Sequence, residues 1–267
     1  MTHPSLAEAW ASGRAALGGW VSAGGEFSLR AYRRAGYDYV GIDCQHSTLD
    51  EADAAVLLQR TSPADPATIV RVSKNDATLI GRLADAGADG IIVPMVSTAQ
   101  QARDAVAAIT YPPGGLRSFG PIRADLPSSD LTEMTARVSL FVMIETAEGL
   151  DNVEEITQVP GLGGVYVGPA DLSIGLGLEP MRAFTTDQLA EPIERIRQAC
   201  DASGIVLGMH QIDGANARRW IQRGVRLATL GGDLGVFVAA ARAQLQLARD
   251  EPAAAHGEPA GSPYGDR

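Results

Sequence analysis

The amino-acid sequence predicts an α/β protein folded as a (β/α)8 TIM barrel. Eight short apolar runs with strand character alternate along the chain with segments of helical period. Strand, helix and strand in close succession make parallel neighbours in one sheet, and eight such units close into a barrel. The alternative is an open doubly wound sheet, which normally has fewer strands and a glycine-rich first turn. The sequence contains no G-x-G-x-x-G or P-loop motif.

The first half of the sequence contains a short leading helix and four of the predicted strands. These strands are rich in β-branched or aromatic residues. They are predicted at 17–23, 37–43, 68–72 and 90–96, with helices at 27–35 and 76–86. Two capping boxes are expected to begin further helices, one formed by Thr48 with Glu51 and the other by Ser97 with Gln100.

The interval 109–138 contains no strong strand signal. It is too long for a simple connection, so we expect a lid or a wall of the site. The remaining strands are predicted at 141–144, 164–168, 205–209 and 227–230, with a short amphipathic segment at 150–156 and helices at 186–203, 216–224 and 235–249. We predict one catalytic domain over residues 1–250 and a disordered tail over 251–267, which is rich in Ala, Pro, Gly and Glu.

The composition indicates an ordinary soluble globular protein. The chain has 267 residues, of which 45% are hydrophobic and 20% charged. A formal net charge of -10 argues against nucleic acid or anionic membrane as partners. There is no apolar run long enough for a membrane helix and no signal-peptide pattern, so we expect a cytoplasmic protein. The two cysteines, Cys44 and Cys200, match no close-spaced metal or redox motif and fit a reducing compartment.

Two acidic residues follow successive predicted strands. Glu145 ends the apolar run at 141–144, and Asp171 comes directly after the strand at 164–168, within the sequence Gly168-Pro169-Ala170-Asp171. A single acid at a strand end more often caps a helix or pairs with an arginine. Two acids on neighbouring parallel strands emerge at one edge of the sheet, where their oxygens suit a hard divalent ion such as Mg²⁺ or Mn²⁺. We therefore predict a metal site.

The barrel topology brings further polar residues to the same edge. A cation bound to a 2-oxo acid acidifies its neighbouring C–H, Arg71 can stabilise the resulting enolate, and the neutral imidazole of His46 can move the proton. His46 could instead be a structural hydrogen-bonding residue, but Asp43 stands three residues before it and could orient it. Arg71 could equally form an ion pair with Asp43. His210 and Asp233 are interpreted either as residues of the wall or as residues that support the site from behind.

Two further residues were interpreted by pattern. Lys74 is the only lysine and so the only candidate for Schiff-base catalysis, which needs a lysine in a desolvated pocket. It lies in a polar turn and is expected to be exposed. Asp85 lies within a helix and, by pattern alone, is a surface or interface residue.

Several segments together resemble the HpcH/HpaI family of metal-dependent, class II pyruvate aldolases. Type members of that family cleave 4-hydroxy-2-oxoheptanedioate to pyruvate and succinic semialdehyde. The resemblance implies a barrel of the phosphoenolpyruvate/pyruvate type, usually a homohexamer, with the last helix often exchanged between subunits. The matching segments span about residues 18–235 and are 36–46, Val70-Arg71, 85–96, 111–117, Glu145 and 168–172.

The resemblance also implies roles for individual residues. Glu145 and Asp171 would bind a divalent cation, Mg²⁺, Mn²⁺ or Co²⁺, and the backbone at Ala170 and Asp171 would hold the pyruvate carboxylate. His46 would be the base, and Arg71 would stabilise the enolate.

Other assignments complete the expected site. By the same resemblance, Asp85 would raise the basicity of His46. We assign Asp43 to the catalytic residues, and Gly168, Trp20 and Arg117 to substrate binding.

Two positions depart from the family pattern. Gln45 stands where type members have a glutamate, and Met143 stands where they have a substrate-contacting glutamine. These departures bear on the choice of substrate.

The predicted function is reversible cleavage of a 4-hydroxy-2-oxo acid to pyruvate, or a close 2-oxo acid analogue, and an aldehyde. One alternative is decarboxylation of oxaloacetate-like acids through the same enolate. Another is a barrel without catalytic activity that binds a 2-oxo acid. The expected partners are these small molecules and further copies of the chain.

Overall fold

Eight parallel strands form a closed barrel in which each strand pairs with the next in sequence and the eighth pairs with the first. The structure is a computed structural model that describes residues 4–123, 125–126 and 130–249. The predicted (β/α)8 fold is confirmed. The tail predicted over 251–267 lies outside the described residues.

The elements follow the expected order. The strands are β1 Ala16–Val21, β2 Tyr39–Asp43, β3 Ala67–Arg71, β4 Gly90–Val93, β5 Ser139–Ile144, β6 Gly164–Val167, β7 Val206–Met209 and β8 Leu227–Gly232. The helices are α1 Pro4–Ala11, α2 Gly25–Ala35, α3 Glu51–Leu58, α4 Ala77–Ala86, α5 Ala99–Ile109, α6 Leu131–Ala136, α7 Ala147–Asp151, α8 Val153–Thr157, α9 Pro169–Gly175, α10 Ala190–Ser203, α11 Gly214–Ile221 and α12 Asp233–Ala248. A 3₁₀ helix spans Met181–Phe184.

Both predicted capping boxes are wrong by one or two residues. Helix α3 is capped by Asp50, whose carboxylate accepts the N–H groups of Ala52 and Asp53. Helix α5 is capped by Thr98, which forms its box with Gln101. In each case a neighbouring polar residue has the extended backbone that a cap requires, and sequence spacing alone does not distinguish the two candidates.

The strands alternate between two cores with a period of two residues. Tyr39, Phe141 and Tyr166 face the interior of the barrel, whereas Val40 and Val142 pack against the outer helices. Helix α1 covers the amino-terminal end of the interior. Continued past the strand ends, the same alternation directs a last layer of side chains into the carboxyl-terminal mouth of the barrel. This mouth layer includes Asp43, Arg71, Glu145, Gly168 and His210.

In the described part of the chain, no helix is long and apolar enough to cross a membrane.

Candidate active site

Glu145 places a buried carboxylate in the mouth of the barrel. The residue follows β5 and is 2% exposed. Its Oε1 accepts a hydrogen bond of 2.6 Å from the backbone N–H of Met95. Its Oε2 is buried and has no hydrogen-bond partner among the described residues. Burial and the nearby negative charge of Asp171 together raise the pKa of Glu145 to about 7, although the Met95 N–H and the charge of Arg71 oppose the rise.

Gly168 makes the room that the free oxygen of Glu145 needs. A Cβ atom at this position would lie 2.5 Å from Glu145 Oε2 and 2.9 Å from Met143 Cε. No side chain other than that of glycine fits there without displacing Glu145. Gly168 also begins α9, which has Asp171 in its first turn. The negative charges of the two predicted metal ligands interact, which places their carboxylates near each other.

Met95 has a strained backbone conformation, and its N–H donates a hydrogen bond to Glu145. Its φ of 57° makes it the only residue other than glycine in the described chain with a positive φ. This conformation costs about 1 kcal/mol or more for such a residue. It directs the Met95 N–H to the carboxylate of Glu145. This role could not be predicted from the sequence, because methionine is not a residue that favours positive φ.

Arg71 and Asp43 form a buried bidentate ion pair. The Nε and one terminal nitrogen of Arg71 donate to the two carboxylate oxygens at 2.8 and 2.6 Å. Burial alone would raise the pKa of Asp43, but the contact with Arg71 outweighs it and holds that pKa below its ordinary value. The ion pair that the sequence left open as an alternative is therefore present, and it fixes the direction of the guanidinium.

Trp20 supports this pair from within the barrel. It is 4% exposed, its indole N–H donates to Asp43 at 3.3 Å, and the Arg71 guanidinium carbon lies 5.4 Å from the ring centroid. Trp20 is thus a platform under Arg71. Its assignment to direct substrate binding stays a prediction.

His46 is exposed at the rim and is not oriented as the sequence suggested. Asp43 accepts a hydrogen bond from its backbone N–H at 3.4 Å. Among the residues that the structure describes, none forms a hydrogen bond with the imidazole. The expectation that Asp43 would orient the ring is therefore not met, because Arg71, Trp20 and backbone N–H groups use both of its oxygens.

Asp85 lies far from this group and is paired with Arg117. Arg117 donates to one carboxylate oxygen of Asp85 at 2.7 and 3.2 Å, and the two residues are 3% and 9% exposed. The guanidinium packs 4.6 Å over the ring of Tyr111. Of the two pattern-based alternatives for Asp85, surface or interface, an open surface position is wrong for the single chain, because the long loop after α5 folds over it, and the interface stays a prediction.

Helix α4 sets the distance between Asp85 and the mouth. The helix starts after the carboxyl end of β3 and runs back along the barrel for ten residues, or about 15 Å. Asp85 is in its last turn, near the amino-terminal end of the barrel, whereas His46 follows the carboxyl end of β2. A single chain does not bring these two residues together.

Lys74 and Asp233 do not belong to the charged centre. The Lys74 side chain is 69% exposed and lies 3.6 Å from Asp76, which confirms the expected exposure and gives no desolvated lysine. Asp233 accepts hydrogen bonds from the backbone N–H groups of Ser22, Ala23 and Gly24. Asp233 thus ties the start of α12 to the turn after β1.

Fold and site together define a TIM-barrel enzyme with an acidic, arginine-bordered centre at the carboxyl-terminal mouth, where enzymes of this fold have their active sites. The profile of the HpcH/HpaI aldolase/citrate lyase family matches residues 17–240. The chain belongs to this family.

Named relatives agree with this assignment. The hydroxypyruvate/pyruvate aldolase of Rhizorhabdus wittichii is 38% identical over 242 residues, which cover 90% of this chain and 96% of the relative. The 4-hydroxy-2-oxo-heptane-1,7-dioate aldolase of Salmonella arizonae is 33% identical over 243 residues, 88% of this chain and 91% of the relative. The crystal structure of an HpcH/HpaI aldolase/citrate lyase family protein from Burkholderia cenocepacia J2315 superposes with a TM-score of 0.82 at 30% identity, covering 93% and 100% of the two chains. The protein is a carbon–carbon lyase of the aldolase type.

Proposed function

We propose that the protein is a divalent-metal-dependent aldolase that reversibly cleaves a 4-hydroxy-2-oxo acid to pyruvate, or a close 2-oxo acid analogue, and an aldehyde. One observation carries this proposal. The Oε2 atom of Glu145 is buried and unpartnered, and it lies in room that only a glycine at position 168 leaves for it. A buried carboxylate oxygen without a donor is costly unless a ligand pairs with it.

The donor set fits a hard divalent cation. Glu145 and Asp171 would hold it through carboxylate oxygens, as Mg²⁺ and Mn²⁺ prefer, and its charge would relieve their mutual repulsion. Within the described ranges, no third His, Cys, Asp or Glu joins the two acids to form a metal-binding group. Oxygens of substrate and water would therefore complete the coordination. When bound, the cation polarises the 2-oxo group and acidifies the adjacent C–H.

The remaining groups of the mouth would act on the substrate directly. Arg71, held by Asp43, is close enough to Glu145 for their charges to interact, and it would stabilise the negative oxygen of the enolate. The backbone N–H groups of Ala170 and Asp171, in the first turn of α9, would bind the substrate carboxylate.

The proton-transfer group would depend on a second copy of the chain. His46 is exposed and could act as the base, but its own Asp85 lies at the other end of the barrel. Asp85, positioned by Arg117, can therefore raise the basicity of a histidine only in a neighbouring subunit. Two apolar side chains on the loop that carries Arg117 are exposed and suit such a contact between subunits. They are Leu116 and Phe119. We propose a homo-oligomer, a hexamer by family resemblance, in which α12 also packs against a neighbour.

Deuterium exchange tests the aldolase proposal. The purified protein, loaded with Mn²⁺, should exchange the methyl protons of pyruvate with D₂O and condense pyruvate with small aldehydes. The Lys74→Met variant should retain both reactions, and borohydride should trap no adduct, because Lys74 is exposed and ion-paired. If the wild-type protein performs neither reaction, the proposal is wrong. Pyruvate binding without exchange would instead favour a binding-only barrel.

Decarboxylation of oxaloacetate-like acids is the second candidate. One observation favours it: Arg71 is fixed by two hydrogen bonds, whereas the imidazole of His46 has none within the described chain. Decarboxylation forms the same enolate without a base that removes a C–H proton. His46→Ala should lower aldol cleavage by about 100-fold and leave decarboxylation largely intact. A higher wild-type kcat/KM on oxaloacetate than on 4-hydroxy-2-oxo acids would identify decarboxylation as the main activity.

A further inference from the structure

Asn152 is a polar residue that stands at the start of a helix but does not cap it. It occupies the N-cap position of α8, yet its side chain forms no capping hydrogen bond with that helix. Asparagine is otherwise among the preferred capping residues. Instead, its side-chain nitrogen donates at 2.8 Å to the backbone carbonyl of Ser97, 55 residues away in the chain. The side chain of Asn152 therefore stabilises a remote segment rather than its own helix.

That segment is the β4–α5 connection, residues 94–98. A second side-chain contact holds the same part of it, because the hydroxyl oxygens of Ser97 and Thr146 lie 2.7 Å apart. The backbones also pack closely there, since a Cβ built at Gly149 would lie 2.9 Å from the carbonyl oxygen of Val96. The β4–α5 connection is therefore fixed against the segment that follows β5.

Met95 lies in this connection and has a backbone conformation that needs support. Its φ of 57° is in the left-handed region, where a residue with a Cβ is strained and glycine is not. The hydrogen bond of 2.6 Å from its N–H to Glu145 Oε1 favours this conformation. A single hydrogen bond contributes about as much free energy as such strain costs, so further contacts decide whether the conformation persists. Among the described residues, no other group donates to the Glu145 carboxylate.

We propose that Asn152 is a positioning residue for the metal-binding carboxylate. Its contact with Ser97 adds the stabilisation that keeps Met95 at positive φ. The Met95 N–H in turn fixes Glu145 Oε1 and leaves Oε2 for the cation. This inference rests on the proposed metal-dependent function, and it assigns part of the Mn²⁺ affinity to a contact outside the metal site.

Hydrogen exchange in the absence of metal tests the first step. In Asn152→Ala, the Met95 amide should exchange with D₂O about fivefold faster or more than in the wild type, because its hydrogen bond to Glu145 forms less often. Fragmentation mass spectrometry resolves this amide. Gln158→Ala is the matched control, since it shortens an exposed side chain at the other end of α8 and should leave the rate within about twofold of wild type. An unchanged rate in Asn152→Ala would overturn the positioning role.

Mn²⁺ binding with a second substitution tests the whole set of contacts. Asn152→Ala should weaken Mn²⁺ binding about fivefold or more, as measured by titration calorimetry. Met95→Gly should bind Mn²⁺ within about threefold of the wild type, because glycine adopts positive φ without strain. Since that glycine needs no support, adding Asn152→Ala to Met95→Gly should lower the affinity by less than about twofold. An equal loss in both backgrounds would indicate general packing around Asn152 and overturn the role.

One further variant and one further outcome complete the test. Ser97→Ala removes the hydroxyl that contacts Thr146. It should change Met95 exchange and Mn²⁺ affinity in the same directions as Asn152→Ala, which provides an independent test if that variant folds poorly, and unchanged values would overturn the inference. A wild type that binds no Mn²⁺ would refute the proposed metal-dependent function, whereas the Met95 exchange rates, measured without metal, would still decide whether Asn152 positions Met95.

Discussion

Gly168 illustrates at the residue scale how a missing side chain can define a site. A Cβ at this position would lie 2.5 Å from Glu145 Oε2. Gly168→Ala should therefore rotate the carboxylate away and weaken Mn²⁺ binding by at least about 10-fold, as measured by titration calorimetry. Gly235→Ala is the matched control, because no atom lies within 4 Å of a Cβ built there. Equal Mn²⁺ affinities of wild type and Gly168→Ala would contradict the placement of the cation beside Glu145.

The carboxylate itself allows a second test at this scale. Glu145→Gln keeps the size of the side chain and its acceptor for the Met95 N–H, but it removes the negative charge. We expect Mn²⁺ affinity to fall by about 100-fold or more. Glu148→Gln changes an exposed acid three residues away and should leave the affinity within about twofold of wild type. A matching loss in both variants would indicate a general charge effect.

The positions of some of these residues could be predicted from the sequence, and those of others could not, for physical reasons. Glu145 and Asp171 were predictable, because strand ends in a parallel barrel meet at one face. The backbone of Met95 was not, since its positive φ is imposed by Glu145, fifty residues away. The burial of Asp85 was also hidden, because its partner Arg117 comes from a loop 32 residues later.

At the scale of elements, Asp233 joins the start of the last helix, α12, to the turn after β1. Its carboxylate accepts hydrogen bonds from three backbone N–H groups at the turn after β1, from the hydroxyl of Ser22 and from the N–H of Leu234. Burial opposes the charged form, but these donors outweigh it and hold the pKa of Asp233 below its ordinary value. The start of α12 is thereby fixed even though most of that helix is exposed.

Asp233→Asn should destabilise the protein by about 2 kcal/mol at neutral pH. The side-chain NH₂ group of asparagine cannot accept a hydrogen bond, so some of the backbone N–H groups that now donate to Asp233 would lose their acceptor. A depressed pKa means that the stabilisation is complete above the ordinary value of 3.8 and is lost as the pH falls below it. The difference in unfolding free energy between wild type and variant, measured in urea, should therefore shrink below that pH. Asp201→Asn, at a side chain 65% exposed, should change stability by less than about 0.5 kcal/mol.

Element order was easier to predict than element ends. The eight strand runs and the helices between them follow from hydrophobic period, a signal summed over many residues. Helix starts depend on which of several polar residues has an extended backbone. Asp50 and Thr98 therefore cap helices that the sequence assigned to Thr48 and Ser97.

At the scale of the whole molecule, the barrel separates two groups that the proposed chemistry needs together. His46 is at the carboxyl-terminal mouth, and Asp85 is at the end of α4 near the opposite face. Closure of the barrel fixes this separation, because α4 spans the full height of the wall. In the proposed homo-oligomer, a working pair would therefore join two copies of the chain, each giving His46 to one site and Asp85 to another.

Mixed oligomers test this arrangement. His46→Ala and Asp85→Asn chains, each nearly inactive alone in the aldol reaction, are coexpressed in equal amounts. If sites form between chains, random assortment gives both wild-type groups to about a quarter of them, and about a quarter of wild-type activity should return. Wild type coexpressed with the double variant is the control: sites between chains again give about a quarter, whereas sites within one chain give about a half. No recovery in the first mixture and half activity in the second would place both groups in one chain, and the fold of α4 would then have to differ from the one described.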